Sequence, residues 1–208
     1  PDALMQYTMP RSVLEAGTLR IARGARLDVA ALTARLVSMG YTRCELVEGP
    51  GQFSLRGGIL DVFSPGSPYP CRVDFFGDEV DLLGYFDIVS QRRYENTAEY
   101  LCIPADEVLF SASALQRTAE AASKLADRFQ GEPKALEGLR EECAQAKDGI
   151  PPAAQDKYFS LVYDERETLL SYLGDCTVLL FESSRIAERI RAFSWQTHET
   201  LELLVEQG

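Results

Sequence analysis

Asp74, Asp78, Glu79 and Asp81 are the densest group of carboxylates in the chain. Carboxylates so close together are the oxygen donors with which a nuclease would hold Mg²⁺ beside a phosphodiester. A hairpin through residues 72–76 and 79–82 places Asp74, Glu79 and Asp81 on one solvent-facing side, opposite Val73, Phe75, Val80 and Leu82, with Asp78 in the Gly77-Asp78 turn. No lysine stands beside them to polarise a water, so a solvated acidic face is expected. Arg56-Gly57-Gly58-Ile59 has paired glycines but lacks the Lys and Ser/Thr of a phosphate-binding loop, and a strand follows where a helix N-terminus is needed. It reads as a bend between two strands. His198 is the single histidine, with no Cys or other His near it. Cys44, Cys71, Cys102, Cys143 and Cys176 are scattered without any CxxC pair, so they read as free thiols in a reducing compartment rather than a zinc site or a disulfide framework. No catalytic residue, metal or cofactor is expected.

The elements that must carry these residues change character near residue 110. Before it, short β-rich runs are punctuated by Gly and Pro; after it come Ala-, Leu- and Glu-rich helical stretches. Strands are predicted at 18–22, 44–47, 53–56 and 59–63, followed by the hairpin of 72–76 and 79–82. Asp28 caps a helix from Val29 to Met39, with Val29, Leu32, Leu36 and Met39 on one face and Gly40 as its stop. Further helices are predicted over 113–129 and 133–147. A buried strand is predicted at 176–181, with a helix capped by Ser183 or Ser184 running to about Ala192. The fold class is therefore α+β: a small antiparallel or mixed sheet with a packed helix, then a helical and α/β segment.

The 208 residues carry a net charge of −11, with 17 Arg against 4 Lys. That balance argues against a general nucleic-acid binder and favours planar, bidentate use of the cations present. Residues 1–60 hold 7 Arg against 5 acids, whereas residues 61–110 hold 3 against 10, so an Arg-bearing face beside an acidic hairpin is expected. No apolar run approaches the ~20 residues of a membrane span, and a cytoplasmic setting is expected.

The run Arg56-Gly57-Gly58-Ile59-Leu60-Asp61-Val62-Phe63, followed by Arg72-Val73-Asp74-Phe75-Phe76-Gly77-Asp78-Glu79-Val80, resembles the UvrB-like N-terminal module of the bacterial transcription-repair coupling factor, Mfd. The match extends through Phe86-Asp87 and Ser90-Gln91-Arg92, back through Gly40-Tyr41 and residues 49–53, and more weakly to residues 156–158 and 179–186. The resemblance implies that residues 11–110 are domain 2, which docks on UvrA. Residues 111–208 would be the second half of a degenerate helicase-type α/β domain 1, incomplete here, and residues 1–10 the end of its first half. The chain would then be a non-catalytic fragment that recruits UvrA for nucleotide excision repair, its parent an ATP-dependent DNA translocase that also binds RNA polymerase and DNA. Masking of the UvrA-binding face by a C-terminal domain of that parent is implied as well.

The family's partner contacts carry over onto Arg43, which follows Tyr41 by two places, and onto Arg56; Ser54 stands where the family has a further Arg. Phe53 and the neighbouring apolar positions would supply packing. Residues 54 and 56 share one side of a strand, with Phe53 on the other. The alternative role for Arg56 and Arg43 is pairing with the domain's own acids, such as Glu45 or Asp61. Phe181 stands where active helicase-type ATPases have the first of two Mg²⁺-binding acids, which fits a degenerate domain. Two competing readings remain: a fragment of UvrB itself, against which Ser54, Gly58 and Phe181 weigh, and a metal-dependent nuclease on the acidic hairpin.

Overall fold

The computed structural model describes residues 2–128, 130, 133–153 and 155–207. The chain divides into two compact units, one made of Ser12–Leu109 and the other of residues 1–11 with 110–208. Near the start lie the short strand β1 (Tyr7–Thr8) and helix α1 (Arg11–Gly17). The Ser12–Leu109 unit then holds β2 (Leu19–Ala22), α2 (Val29–Ser38), β3 (Thr42–Arg43), β4 (Gln52–Arg56), β5 (Ile59–Phe63), β6 (Cys71–Phe76), β7 (Glu79–Phe86), β8 (Arg93–Thr97) and β9 (Glu99–Cys102).

Strands β3 to β8 form a six-stranded sheet in sequence order, antiparallel except for the parallel β3–β4 pair; β2 and β9 form a separate antiparallel ribbon. The Asp28 carboxylate caps α2, accepting from the backbone N–H groups of Ala30 at 2.8 Å and Ala31 at 3.0 Å. At the other end Gly40 takes a φ of +86°, and the Tyr41 N–H reaches back to the Leu36 carbonyl. A Cβ at Gly40 would also lie 2.5 Å from the Cβ of Asp106, so conformation and space both demand glycine there. Helix α2 thereby lays Leu32, Leu36 and the following Met39 onto one face of the sheet, where they join Ile21, Phe53, Leu60, Val62, Val73, Val80, Leu83 and Tyr100 in one core.

Two strand expectations shift. Residues 44–47 are not a strand; pairing ends at Arg43, and the Gln52 side-chain carbonyl accepts from the N–H groups of Glu48 and Gly49 at 2.8 and 3.1 Å, closing a loop instead. Val47 from that loop packs with Phe63 and Phe86 in a small cluster beside Cys44 and Ile88. The hairpin turns at Gly77-Asp78 as expected, but its register shifts between Asp74 and Phe75. Asp74 faces Leu82 and Phe75 faces Val80, leaving Asp81 as the extra residue of a bulge. Leu82 is therefore turned to the side of Asp74, and Leu83 takes the core position that simple alternation assigns to Leu82.

The other unit contains α3 (Ala112–Arg128), α4 (Pro133–Lys147), α5 (Phe159–Val162), β10 (Glu167–Thr168) and α6 (Ser183–Gln207). The last residue of the helix expected over 113–129 lies outside the described residues. Helices α3 and α4 pack through small side chains, with Leu115, Ala119 and Ala146 gathered beside Phe110 and the Cys143 thiol donating to the Ala119 carbonyl at 3.3 Å. Arg117 donates to the carbonyls of Leu161 and Val162, caring for the orphan C-terminal groups of α5. Strand β1 pairs antiparallel with β10, and Arg189 of α6 is ion-paired with Asp2.

Residues 176–181 form no strand, a correction to the buried one expected there, and helix α6 runs to Gln207 rather than to Ala192. Leu179 and Phe181 are 71% and 78% exposed. A buried strand needs a neighbour for its N–H and C=O groups, and no described strand lies beside this run. No helix among the described residues is long and apolar enough to cross a membrane.

Candidate protein-interaction face

Strand pairing sorts the sheet into two faces. Phe53, Val62, Cys71 and Tyr85 form one cross-strand row and Leu55, Leu60, Val73 and Leu83 the next, both turned toward α2. On the opposite face run the row Ser54, Asp61, Arg72, Gly84 and the row Arg56, Ile59, Asp74, Leu82. Antiparallel neighbours in such a row stand about 5 Å apart, close enough for long side chains to bond directly.

Asp61 is the centre of this second face. It is 1% exposed, and its carboxylate accepts from Arg72 Nε at 2.6 Å, Arg72 Nη2 at 2.8 Å and Arg56 Nη2 at 2.8 Å. Arg72 also donates to the Gln91 carbonyl at 2.9 Å, and its guanidinium lies 4.7 Å from the centroid of the Phe86 ring. The Asp61 hydrogen bond is the main reason the Arg72 pKa is raised above its ordinary value. Alongside, Arg93 Nη2 donates to Asp74 at 2.7 Å. Arg93 reaches Asp74 across Gly84, where a Cβ would stand 2.6 Å from Arg93 Cδ and 2.5 Å from the Glu95 carbonyl oxygen. Glycine at 84 is thus a matter of close approach. The Arg93 Nε is buried without a hydrogen-bond partner. The result is an array of three arginines and two aspartates on this sheet face, mostly buried but for the half-exposed Arg56, with one guanidinium beyond neutrality.

The four residues assigned to partner contact separate here. Arg56 lies on this face, half exposed and paired with Asp61. Ser54 is on the same face but buried, its hydroxyl donating to the Glu45 carbonyl at 2.8 Å. Phe53 is fully buried among the core residues facing α2. Burial takes both from any contact surface of this fold. Arg43 is exposed, in register with Phe53 rather than with Ser54 or Arg56, so the pleat sets it on the other side at the sheet edge. Among the described residues its guanidinium makes no ion pair. From sequence Asp61 is named only as a possible partner of Arg56 or Arg43; its place as the one charge inside the apolar strand 59–63 is the signal that could have marked it, and Arg72, Gly84 and Arg93 carry no such signal.

The carboxylates of the hairpin do not converge. Asp74 is spent on Arg93, and Glu79 lies 3.9 Å from Arg26. Among the described residues no group of three or more His, Cys, Asp or Glu is placed to hold a metal ion.

Comparison with known families matches residues 19–108, from β2 through the loop after β9, to the UvrB interaction domain. The chain carries a UvrB interaction domain. Around it, the chain is 39% identical over 149 residues to the transcription-repair-coupling factor of Myxococcus xanthus, which covers 72% of this chain and 12% of that protein. The factor of Bacillus subtilis is 29% identical over 215 residues, covering 99% of this chain and 18% of the relative. That of Escherichia coli is 38% identical over 115 residues, covering 55% and 10%. The family resemblance carried by the Arg-Gly-Gly run and the hairpin motif is thereby borne out, and the chain spans less than a fifth of the length of these relatives. The arginine–aspartate array lies wholly within the UvrB interaction domain.

Proposed function

We propose that the UvrB interaction domain of this chain binds UvrA through the sheet face that carries Arg56, and that the longer protein uses it to recruit UvrA to stalled transcription for nucleotide excision repair. In this reading the Ser12–Leu109 unit corresponds to domain 2 and the remaining residues to parts of a degenerate helicase-type domain 1. RNA polymerase and DNA would be partners of other parts of the parent, an ATP-dependent translocase of the cytoplasm, and this chain itself would be non-catalytic.

The observation that carries the reading is the exposed Arg56 guanidinium at the rim of a preorganised ionic array. Arginine in a fixed geometry makes bidentate bonds to carboxylates and is a favoured hot-spot residue. Phe76, 83% exposed at the end of β6, and half-exposed Ile59 offer apolar contact on the same face. Arg43, turned to the other side of the sheet at its edge, would reach the partner only by a contact separate from this face. The acids of the array are already matched, so the face presents net positive charge suited to an acidic patch on the partner.

Calorimetric titration against UvrA tests this. Arg56→Ala is expected to weaken binding by about 1–3 kcal/mol while leaving the melting temperature unchanged, because Arg72 keeps both its bonds to Asp61. Unchanged affinity would overturn the assignment of this face.

A further inference from the structure

The two acceptor oxygens of Asp61 are already matched by Arg72, which forks onto both of them. A buried carboxylate needs compensation of that kind to be tolerated in a sheet. The additional bond from Arg56 Nη2 is therefore surplus to neutralising Asp61. Its consequence falls on the other partner. Arg56 ends β4 just before the Gly57-Gly58 turn, its side chain is 50% exposed, and the Asp61 bond is the one hydrogen bond its guanidinium makes among the described residues. An unanchored arginine at a turn samples many rotamers and loses that freedom on binding. An arginine held by one Nη keeps its remaining N–H donors while its plane is fixed.

We propose that Asp61 is a positioning residue for Arg56: fixed itself by Arg72, which Gln91 and the Phe86 ring hold in turn, it aims the free donors of the Arg56 guanidinium outward at a carboxylate of the docking partner. The inference rests on the reading of UvrA as that partner. It departs from a simple competition between Asp61 and UvrA for Arg56, under which removing the Asp61 charge would tighten binding. Positioning makes the opposite demand, that removal loosens it although the face becomes more positive.

The test titrates purified UvrA with the 208-residue chain, with Asp61→Asn, with Arg56→Ala and with the double variant. Asp61→Asn is expected to raise Kd about tenfold, and the double variant to bind no more weakly than Arg56→Ala alone, since Asp61 acts through Arg56. Tighter or unchanged binding by Asp61→Asn overturns the proposal, as does an equal loss when Arg56 is already absent. Should Asp61→Asn fail to fold, ¹⁵N NMR of the free wild-type chain decides the matter: hindered rotation of the Arg56 guanidinium is expected, and free rotation overturns the proposal. Absence of binding by the wild-type chain would instead overturn the recruitment reading and the partner named here with it.

Discussion

The two units of this chain use apolar residues in opposite ways. In Ser12–Leu109 the large side chains of strands far apart in sequence meet one helix, and Ile21, Leu36, Phe53, Leu60 and Val73 lose all contact with solvent. In the other unit the cluster of Leu115, Ala119 and Ala146 is small, and Tyr158, Val162 and Tyr163 are also buried; α6 has no buried side chain among those described, and Val178 to Phe181 stand in solvent. Within these 208 residues, apolar content alone does not bury residues 176–181. The run at 176–181 is as apolar as β5, but β5 has β4 and β6 to satisfy its backbone, whereas residues 176–181 have no described strand beside them. Burial follows from available hydrogen-bond partners as much as from hydrophobicity.

The contrast is sharpest for single truncations. Phe53→Ala should cost about 3–5 kcal/mol in urea unfolding, whereas Leu179→Ala should stay within about 0.5 kcal/mol. Equal effects would break the comparison and mean that residues 178–181 are covered in solution. Within the sheet unit, Arg72→Ala should cost on the order of 3 kcal/mol, because the buried Asp61 charge would be left to a half-exposed Arg56. Arg56→Ala should change stability by no more than a few tenths of a kcal/mol by the same measurement, since Arg72 keeps both bonds to Asp61.

The thiols give a smaller and pH-dependent effect. Burial pushes the Cys71 and Cys102 thiols up to about 12, from an ordinary value of 9.0. Unfolded thiols ionise above about pH 9 while the folded ones stay protonated, so this contribution is complete below that pH and is lost as pH rises toward 12. The melting temperature should fall between pH 9 and 11, and less steeply in a Cys71→Ala, Cys102→Ala variant. At pH 8 iodoacetamide should label exposed Cys176 ahead of half-buried Cys44, and Cys71 and Cys102 only after unfolding. Early labelling of the buried pair would show that the sheet unit opens as readily as the other.

Local signals were read well from sequence. Asp28 and Gly40 bound α2 because capping and a positive φ are decided by a few neighbouring residues. Strand 59–63, helix 133–147 and the Gly77-Asp78 turn follow likewise from patterns shorter than their elements. The bulge at Asp81 was not legible, since Glu79-Val80-Asp81-Leu82 alternates as a regular strand does; it is the pairing with β6 that moves Leu83 inward. Strands β8 and β9 also escaped, because Arg93–Thr97 is polar and exposed and finds its place by pairing with β7. For the candidate face, Arg56 and the possibility of Asp61 as its partner could be named, but Phe53 and Ser54 could not be removed without knowing what lies above and below β4.

By itself the sequence determined the α+β class, the α2 caps, the hairpin turns and the motif that marks a UvrB interaction domain, because each rests on residues near one another in the chain. The tertiary structure alone decided that Asp61 is buried between two arginines, that Arg93 crosses Gly84 to reach Asp74, and that Arg43 stands apart from Arg56. These depend on cross-strand register, and a shift of one residue turns every side chain to the opposite face. Register is fixed by the summed packing of a whole sheet on its helix, a quantity that no short stretch of sequence contains.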